Sequence, residues 1–280
     1  MNSVRLNNAL ILPDIGFGTY KLEDNTAGEA AVSEALRCGY RLFDTASYYK
    51  NEAMIGRAVH LSGIPRNTIL LASKLWNDEQ GYANAKAAFS RTLDHLQTDY
   101  LDIYLIHWPI PRGQRAGYEA RILETFRAME ELYRAGKIRA LGVCNFRPHH
   151  LRHLVASASV LPMINQIEIH PYCQQQDVVD YCHRNHIVVQ AWSPLGRGKE
   201  FYDPVLMQIA QRHQKSVPQI ILRWHIQRGV LPIPKAARPE KMVENRSIYD
   251  FTLSEEEMNA IRLLDRPGSM AINPDAMDRD

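Results

Sequence analysis

Short apolar runs alternating with amphipathic stretches of helical period, repeated through nearly the whole chain, restrict its fold more than any other feature. One unit takes roughly thirty residues, the length of a strand, a turn and a crossover helix. The runs expected to be strands cover 15–18, a segment closing at Asp44, 69–73 leading into Lys74, 100–106 leading into His107, 138–144, 163–169, 187–191 and 230–233. Helices are expected near 26–38 and over 51–62, 84–97, 118–135, 176–185 and 218–227. In the third, Ala85, Ala88, Phe89, Thr92, Leu93 and Leu96 keep the 3.6-residue period. Pro109, Pro111 and Gly113 mark a loop after His107, Gly136 suits a left-handed helix end, and Pro218 and Pro239 stand where a first helical turn tolerates proline. Two helices exceed the repeat, at 204–213 and 254–264, the second opened by Ser254 with Glu257 three residues on.

Ahead of the repeat, Val4-Arg5-Leu6 and Leu10-Ile11-Leu12 flank Asn7-Asn8-Ala9, which predicts a hairpin that plugs the bottom of the fold. No Pro/Gly/Ser linker divides the chain. The pattern predicts the α/β class: a single (β/α)8 TIM barrel over 1–280, with an N-terminal β-hairpin and two extra helices. A doubly wound sheet competes, but Gly16-Phe17-Gly18 supplies only part of the glycine fingerprint such a sheet carries after its first strand.

A formal net charge of +2 gives no electrostatic reason to expect nucleic acid or an anionic membrane surface. The start of the chain lacks a basic segment followed by an apolar run, and the expectation is a cytoplasmic protein. Cys38, Cys144, Cys173 and Cys182 have no metal-type spacing and read as reduced thiols. His149, His150 and His153 have no carboxylate among them; they read as a solvated helix face, and no metal is expected. His170-Pro171 reads as structural.

Asp44, Tyr49, Lys74 and His107 arrive at, or just past, the carboxyl ends of three successive strands. In a parallel sheet those ends share one rim. Taken singly, Asp44 could cap a loop, Lys74 could be a rim charge, Tyr49 a half-buried aromatic and His107 a core histidine. Together they suit proton delivery to a carbonyl oxygen: an ammonium lowers the pKa of a neighbouring phenol, an aspartate fixes the ammonium, and a histidine orients the carbonyl. A rim lysine also raises a Schiff-base aldolase reading, which needs a lowered lysine pKa; a close aspartate works against that.

Motifs spread over the whole chain then converge: Gly16-Phe17-Gly18-Thr19, Asp44-Thr45-Ala46 with Tyr49, Asn51 and Glu52, Ser73-Lys74-Leu75-Trp76, Leu105-Ile106-His107-Trp108-Pro109, Gly142-Val143-Cys144-Asn145-Phe146, Asn165-Gln166, Ser193-Pro194-Leu195-Gly196, Ile233-Pro234-Lys235 and Glu244-Asn245. With them the sequence resembles the aldo-keto reductase family, and within it the compact bacterial reductases of 2,5-diketogluconate and methylglyoxal. The resemblance implies NADPH-dependent reduction of aldehydes or ketones (reactive dicarbonyls, keto-sugars or aromatic aldehydes), with Asp44, Tyr49, Lys74 and His107 as the catalytic tetrad and Tyr49 as general acid.

It also implies a cofactor lying across the rim against Thr19, Tyr20 and Asp44, its carboxamide held by Asn145 and Gln166 and its ring stacked on Trp192. Ser193, Pro194, Leu195 and Arg197 would border the pyrophosphate. Lys235, Ala236, Arg238 and Lys241 would surround the 2′-phosphate, with Glu244 and Asn245 on the adenine. Tyr20, Tyr48, Trp76, His107 and Trp108, joined by Asn77 and Tyr118, would wall the substrate pocket. Two positions depart from the family pattern: Cys144 and Ala236 stand where serine is usual, which weakens one carboxamide contact and one phosphate contact. The alternative is a nicotinamide-binding sensor or regulatory barrel with vestigial catalysis; for either, a monomer is expected.

Overall fold

The computed structural model describes residues 3–111 and 115–276, so Gly113 lies outside the described residues. The chain opens with an antiparallel hairpin of β1 (Ser3–Arg5) and β2 (Ile11–Pro13). Eight strands follow: β3 (Phe17–Gly18), β4 (Leu42–Asp44), β5 (Leu70–Leu75), β6 (Ile103–Ile106), β7 (Leu141–Cys144), β8 (Ile164–Glu168), β9 (Val188–Trp192) and β10 (Val230–Pro232). Each pairs in parallel with the next in sequence. At the seam the Gly16 N–H donates to the Pro232 carbonyl and the Gly18 N–H to that of Pro234, both at 3.0 Å. The sheet therefore closes into a (β/α)8 barrel, and with no reversal in strand order the doubly wound alternative falls. Gly18 suits the seam because a Cβ there would lie 3.0 Å from the Ile233 carbonyl oxygen.

Helices α1 (Thr26–Arg37), α2 (Glu52–Leu61), α3 (Tyr82–Leu96), α4 (Tyr118–Arg134), α5 (Pro148–Ser157), α6 (Gln176–Arg184), α7 (Pro204–His213), α8 (Val217–Gln227), α9 (Pro239–Arg246) and α10 (Glu255–Arg262) fill the crossovers and the end of the chain. The expected capping box is present: the Glu257 N–H donates to Ser254 Oγ, and the Ser254 N–H to the Glu257 carboxylate. Some expected boundaries shift. Helix α3 starts two residues early, directly after Gly81 at φ +112°. Leu101 and Ile138 pair only as an isolated bridge, so β6 and β7 begin later than their apolar runs.

Side chains alternate across each strand. Leu42, Ala72, Ile103, Leu105, Ala140, Ile164 and Leu231 form an inner cluster that Leu6 and Leu12 of the hairpin seal from below. Phe43, Leu71, Tyr104, Val143, Ile167 and Val189 join the larger core with the helices. By the same alternation the next inward positions toward the rim are Asp44, Lys74, His107, Gln166 and Gln190. Outside the barrel, α9 is anchored to the end of α1: the Tyr40 hydroxyl donates to the Met242 carbonyl at 3.2 Å, and Arg246 donates to the Cys38 carbonyl. Among the described residues no helix is long and apolar enough to cross a membrane.

Candidate active site

Lys74 is wholly enclosed on β5, and its Nζ points across the barrel mouth. It donates to Asp44 Oδ2 at 2.6 Å and to the Thr45 carbonyl at 2.9 Å, with the Tyr49 hydroxyl 3.4 Å away. Tyr49 is carried by a single 3-10 turn, Ser47–Tyr49, which ends at Lys50 in the left-handed region. Asn51 braces this loop: its Nδ2 donates to the carbonyls of Thr19 and Leu22, both at 2.9 Å, and its Oδ1 accepts from Thr45 Oγ1 at 2.7 Å. The phenol is thereby fixed against the ammonium.

Electrostatics in this enclosure differ from the sequence expectation in one respect. Desolvation is the largest influence on Tyr49 and raises its pKa; the Lys74 charge lowers it but does not prevail. For Lys74, desolvation is the largest single influence and favours the neutral amine, but the Asp44 charge, the hydrogen bond to Asp44 and the neighbouring groups together exceed it, and the net shift is upward. A raised lysine pKa removes the Schiff-base aldolase reading. Enclosure, reinforced by the Lys74 charge, holds His107 well below the ordinary histidine range, so its ring is neutral. The set offers a protonated phenol, a fixed ammonium and a neutral imidazole around one opening. A tyrosine of raised pKa still suits proton donation, because when hydride adds to a carbonyl carbon the oxygen becomes an alkoxide, a stronger base than a phenolate.

Aromatic side chains wall the opening. Tyr48 stacks on Trp76 with ring centroids 3.9 Å apart, Trp76 stands edge-on to His107 at 5.0 Å, and Tyr20 lies 4.9 Å from Tyr49. Trp108 follows His107 with its ring nearly parallel, and Asn77 is buried in the turn after β5. Tyr118 instead packs on His150, 5.8 Å away, with the α5 group.

Across the mouth on the same rim, the backbone after β9 is left-handed at Ser193, Gly196, Arg197 and Gly198. The Gly196 and Gly198 N–H groups are used within this turn, on the Ser193 and Leu195 carbonyls at 3.0 and 2.9 Å, so what the turn offers outward is the exposed Arg197 side chain. Further round, Lys235 and Arg238 are exposed at the entrance to α9.

The model of the aldo/keto reductase family matches residues 14–266. The chain belongs to that family. It is 43% identical over 276 residues to a glyoxal reductase of Bacillus subtilis, covering 99% of this chain and 97% of the relative. An aldo/keto reductase of Brucella melitensis superposes with a TM-score of 0.89 at 44% identity, covering 94% of this chain and 99% of that one. A Bombyx mori aldo-keto reductase solved with NADP gives a TM-score of 0.87 at 32% identity, with 94% and 92% covered. The chain is accordingly a nicotinamide-cofactor-dependent oxidoreductase.

The rim residues of this aldo/keto reductase fit such a cofactor. Trp192 Nε1 donates to Asn145 Oδ1 at 2.8 Å, which locks the indole plane at the end of β9, and Asn145 Nδ2 donates to the His107 carbonyl at 3.0 Å. Gln166 donates from Nε2 to Asp44 Oδ1 at 2.8 Å, while among the described residues its Oε1 has only the Cys144 thiol, at 4.0 Å. That oxygen is an acceptor open to a carboxamide. Thr19 is buried and donates through Oγ1 to the Asp44 carbonyl at 2.9 Å, so its side chain braces the rim. Leu195 packs against the core, Ala236 is buried, and Asn245 is buried on α9. Lys241 is paired with Glu244, whose carboxylate also accepts from Ser216 Oγ, so its charge is already neutralised. Arg197, Lys235 and Arg238 form no close ion pair among the described residues and add exposed positive charge to this rim.

Sequence reading missed the supports beneath the Ser193–Gly198 turn. His225, fully buried on α8, makes a 3.1 Å contact from Nε2 to the Pro194 carbonyl. A Cβ at Gly196 would fall 2.7 Å from the buried Glu200 carboxyl. Glu200 in turn accepts from His170 and from the Tyr172 N–H, and His170 lies between Glu200 and Glu168. Desolvation opposes a charge on His170, but the two carboxylates prevail and push its pKa up to about 9 from the ordinary 6.5. A histidine whose pKa rises on folding stabilises the fold fully below 6.5 and loses that contribution as pH climbs through 9. Urea melts of wild type should weaken across that window, and the slope should flatten in His170→Gln. An equal slope in both would remove His170 as its source.

The His149–His150 reading needs correction. Asp275, from the end of the chain, places Oδ1 2.9 Å from His149 Nε2 and 3.2 Å from His150 Nε2, and Oδ2 2.6 Å from Arg147. His150 is buried rather than solvated. The carboxylate absent from the local sequence is thus supplied from afar, and the three side chains are spaced as metal ligands could be. Yet His150 Nδ1 accepts the Arg147 N–H at 3.1 Å, which leaves its proton on Nε2, facing Asp275. The ring presents a donor rather than a lone pair, and the cluster acts as a clasp. With the Ala271 N–H bound to Glu168 at 2.7 Å, it pins the tail across the rim.

Proposed function

We propose that this barrel reduces small aldehydes and ketones, glyoxal-type dicarbonyls foremost, with NADPH and with Tyr49 as the proton donor. The observation that carries the reading is the enclosed Lys74 ammonium, held 2.6 Å from Asp44 and 3.4 Å from the Tyr49 hydroxyl at the mouth where Trp192 and Gln166 await a flat amide-bearing ring. When bound, the cofactor supplies the hydride. Neutral His107 orients the carbonyl, Tyr49 gives its proton to the oxygen as charge builds there, and Lys74, neutralised by Asp44, keeps the phenolate that remains from leaving its place. The close-packed Tyr48, Trp76 and Trp108 favour a compact substrate. The glyoxal reductase relative, matched almost end to end, supports the dicarbonyl preference. In this reading the protein works as a cytoplasmic monomer on a small carbonyl compound, with no nucleic-acid or membrane partner.

The choice of NADPH over NADH follows from Arg197, Lys235 and Arg238, three exposed cations that form no close ion pair among the described residues. Consumption of NADPH, and separately NADH, with methylglyoxal, a keto-sugar acid and a nitrobenzaldehyde tests both claims. NADPH should be favoured. Arg238→Ala should raise its KM about 10–100-fold, the value of one lost charge-assisted contact, and leave NADH unaffected. NADPH binding without oxidation against every carbonyl would replace the reductase with the sensor reading.

A further inference from the structure

Beneath the tetrad lies a buried amide with no role assigned so far. Gln190, on β9, is paired in register with Gln166 on β8 and is wholly inaccessible. Gln166 Nε2 donates to Asp44 Oδ1 at 2.8 Å and to Gln190 Oε1 at 3.1 Å. The Gln190 Nε2 has no hydrogen-bond partner among the described residues. A buried amide donor left unmatched is costly, and an apolar side chain of the same size would avoid that cost. The single hydrogen bond this side chain makes is the one it accepts from Gln166.

Orientation explains why that bond matters. Asp44 accepts from Lys74 Nζ through Oδ2 and presents Oδ1 as a second acceptor, so the amino end of the Gln166 amide faces it. An amino group has two protons. One goes to Asp44; the other needs an acceptor deeper in the barrel, and the Gln190 carbonyl is that acceptor. With both protons engaged, the Gln166 carbonyl oxygen is left pointing to the Cys144 side of the rim, where the proposed function has it receive the carboxamide. Without Gln190 the amide could turn about its own axis, and Asp44 would lose a fixed neighbour.

We infer that Gln190 is a positioning residue: the ladder Gln190–Gln166–Asp44–Lys74–Tyr49 runs from the barrel interior to the proton donor, and its lowest rung sets the orientation of the amide that holds the cofactor and of the carboxylate that holds the lysine. The inference rests on the reductase reading for its kinetic consequence, though not for the ladder itself.

The test uses Gln190→Leu and Gln190→Glu in the full chain, with Gln190→Met as the apolar arm if the leucine variant fails to fold. In cofactor-free, 15N-labelled protein the Gln166 side-chain amide signal, assigned by its loss in Gln166→Leu, should shift one proton upfield in the apolar variant and stay near its wild-type place in Gln190→Glu, which keeps an acceptor oxygen. In turnover, the apolar variant should lose about 10- to 10²-fold in kcat, the scale of a displaced catalytic group, with a smaller change in NADPH dissociation constant. Gln190→Glu should recover most of the kcat near neutral pH. Folded variants with wild-type kcat and an unmoved Gln166 signal would overturn the proposal. Equal losses in the apolar and Glu variants would also overturn it, since they would mark a packing role. A wild-type protein that oxidises NADPH with no carbonyl would instead sink the reductase reading, while the amide signal would still decide the ladder.

Discussion

Replacing Tyr49 with phenylalanine should lower kcat for carbonyl reduction by about 10²–10⁴-fold, the usual contribution of a positioned general acid, and leave NADPH affinity nearly unchanged. The ring would keep its place: it packs 4.9 Å from Tyr20 and edge-on to His107 at 5.9 Å, and its face lies 5.0 Å from Lys74 Nζ. Only the hydroxyl is lost, so cofactor binding has no reason to change. Single-turnover mixing of the NADPH complex with methylglyoxal measures the chemical step directly. Wild-type turnover in the variant would remove Tyr49 from the mechanism and turn attention to His107 or to solvent as the proton source.

Lys74→Met should have a still broader effect, because it strips a buried carboxylate of its cation. Side chains of the pair are 0% and 6% exposed. Removing one member of such a pair costs about 3–5 kcal/mol of stability, and turnover should fall with it. The double variant Lys74→Met with Asp44→Asn should recover most of the stability and none of the activity, a strongly non-additive cycle. Urea melts at neutral pH and turnover assays of both variants supply the measurements. A deficit below about 1 kcal/mol at neutral pH would mean that solvent reaches the pair far more than its burial indicates.

The tetrad was legible because it depends on local signals. Asp44, Lys74 and His107 each follow an apolar run, and parallel strands of similar length bring their ends to one rim. Closure of the barrel was less accessible, since it rests on two glycine N–H groups at a seam between the first and last strands. The ladder below the tetrad left a faint mark: Gln190 interrupts an otherwise apolar run, but its partner is set by the β8–β9 register, which a single strand does not reveal. Asp275 meets His149 across 126 positions, beyond the reach of any spacing argument. The pairing of Lys241 with Glu244, in contrast, is an i,i+3 pair that helical spacing could have exposed. The direction of the Tyr49 shift was unreadable for a different reason. Charge and enclosure oppose one another there, and sequence gives the charge but not the enclosure.

The anchoring of α9 to the end of α1 also bears on how the protein can be labelled. Cys144, Cys173 and Cys182 are buried, and desolvation leads in raising each thiol, to about 12 for Cys173 and about 11 for Cys182. Cys38 is the partly exposed member of the four, and its carbonyl receives Arg246 from α9. A thiol-directed fluorophore therefore goes to one address, beside the Arg246 end of α9. Emission from that dye should change on adding NADPH if the nucleotide settles at α9 as the proposed function has it, without substrate and without altering the barrel mouth.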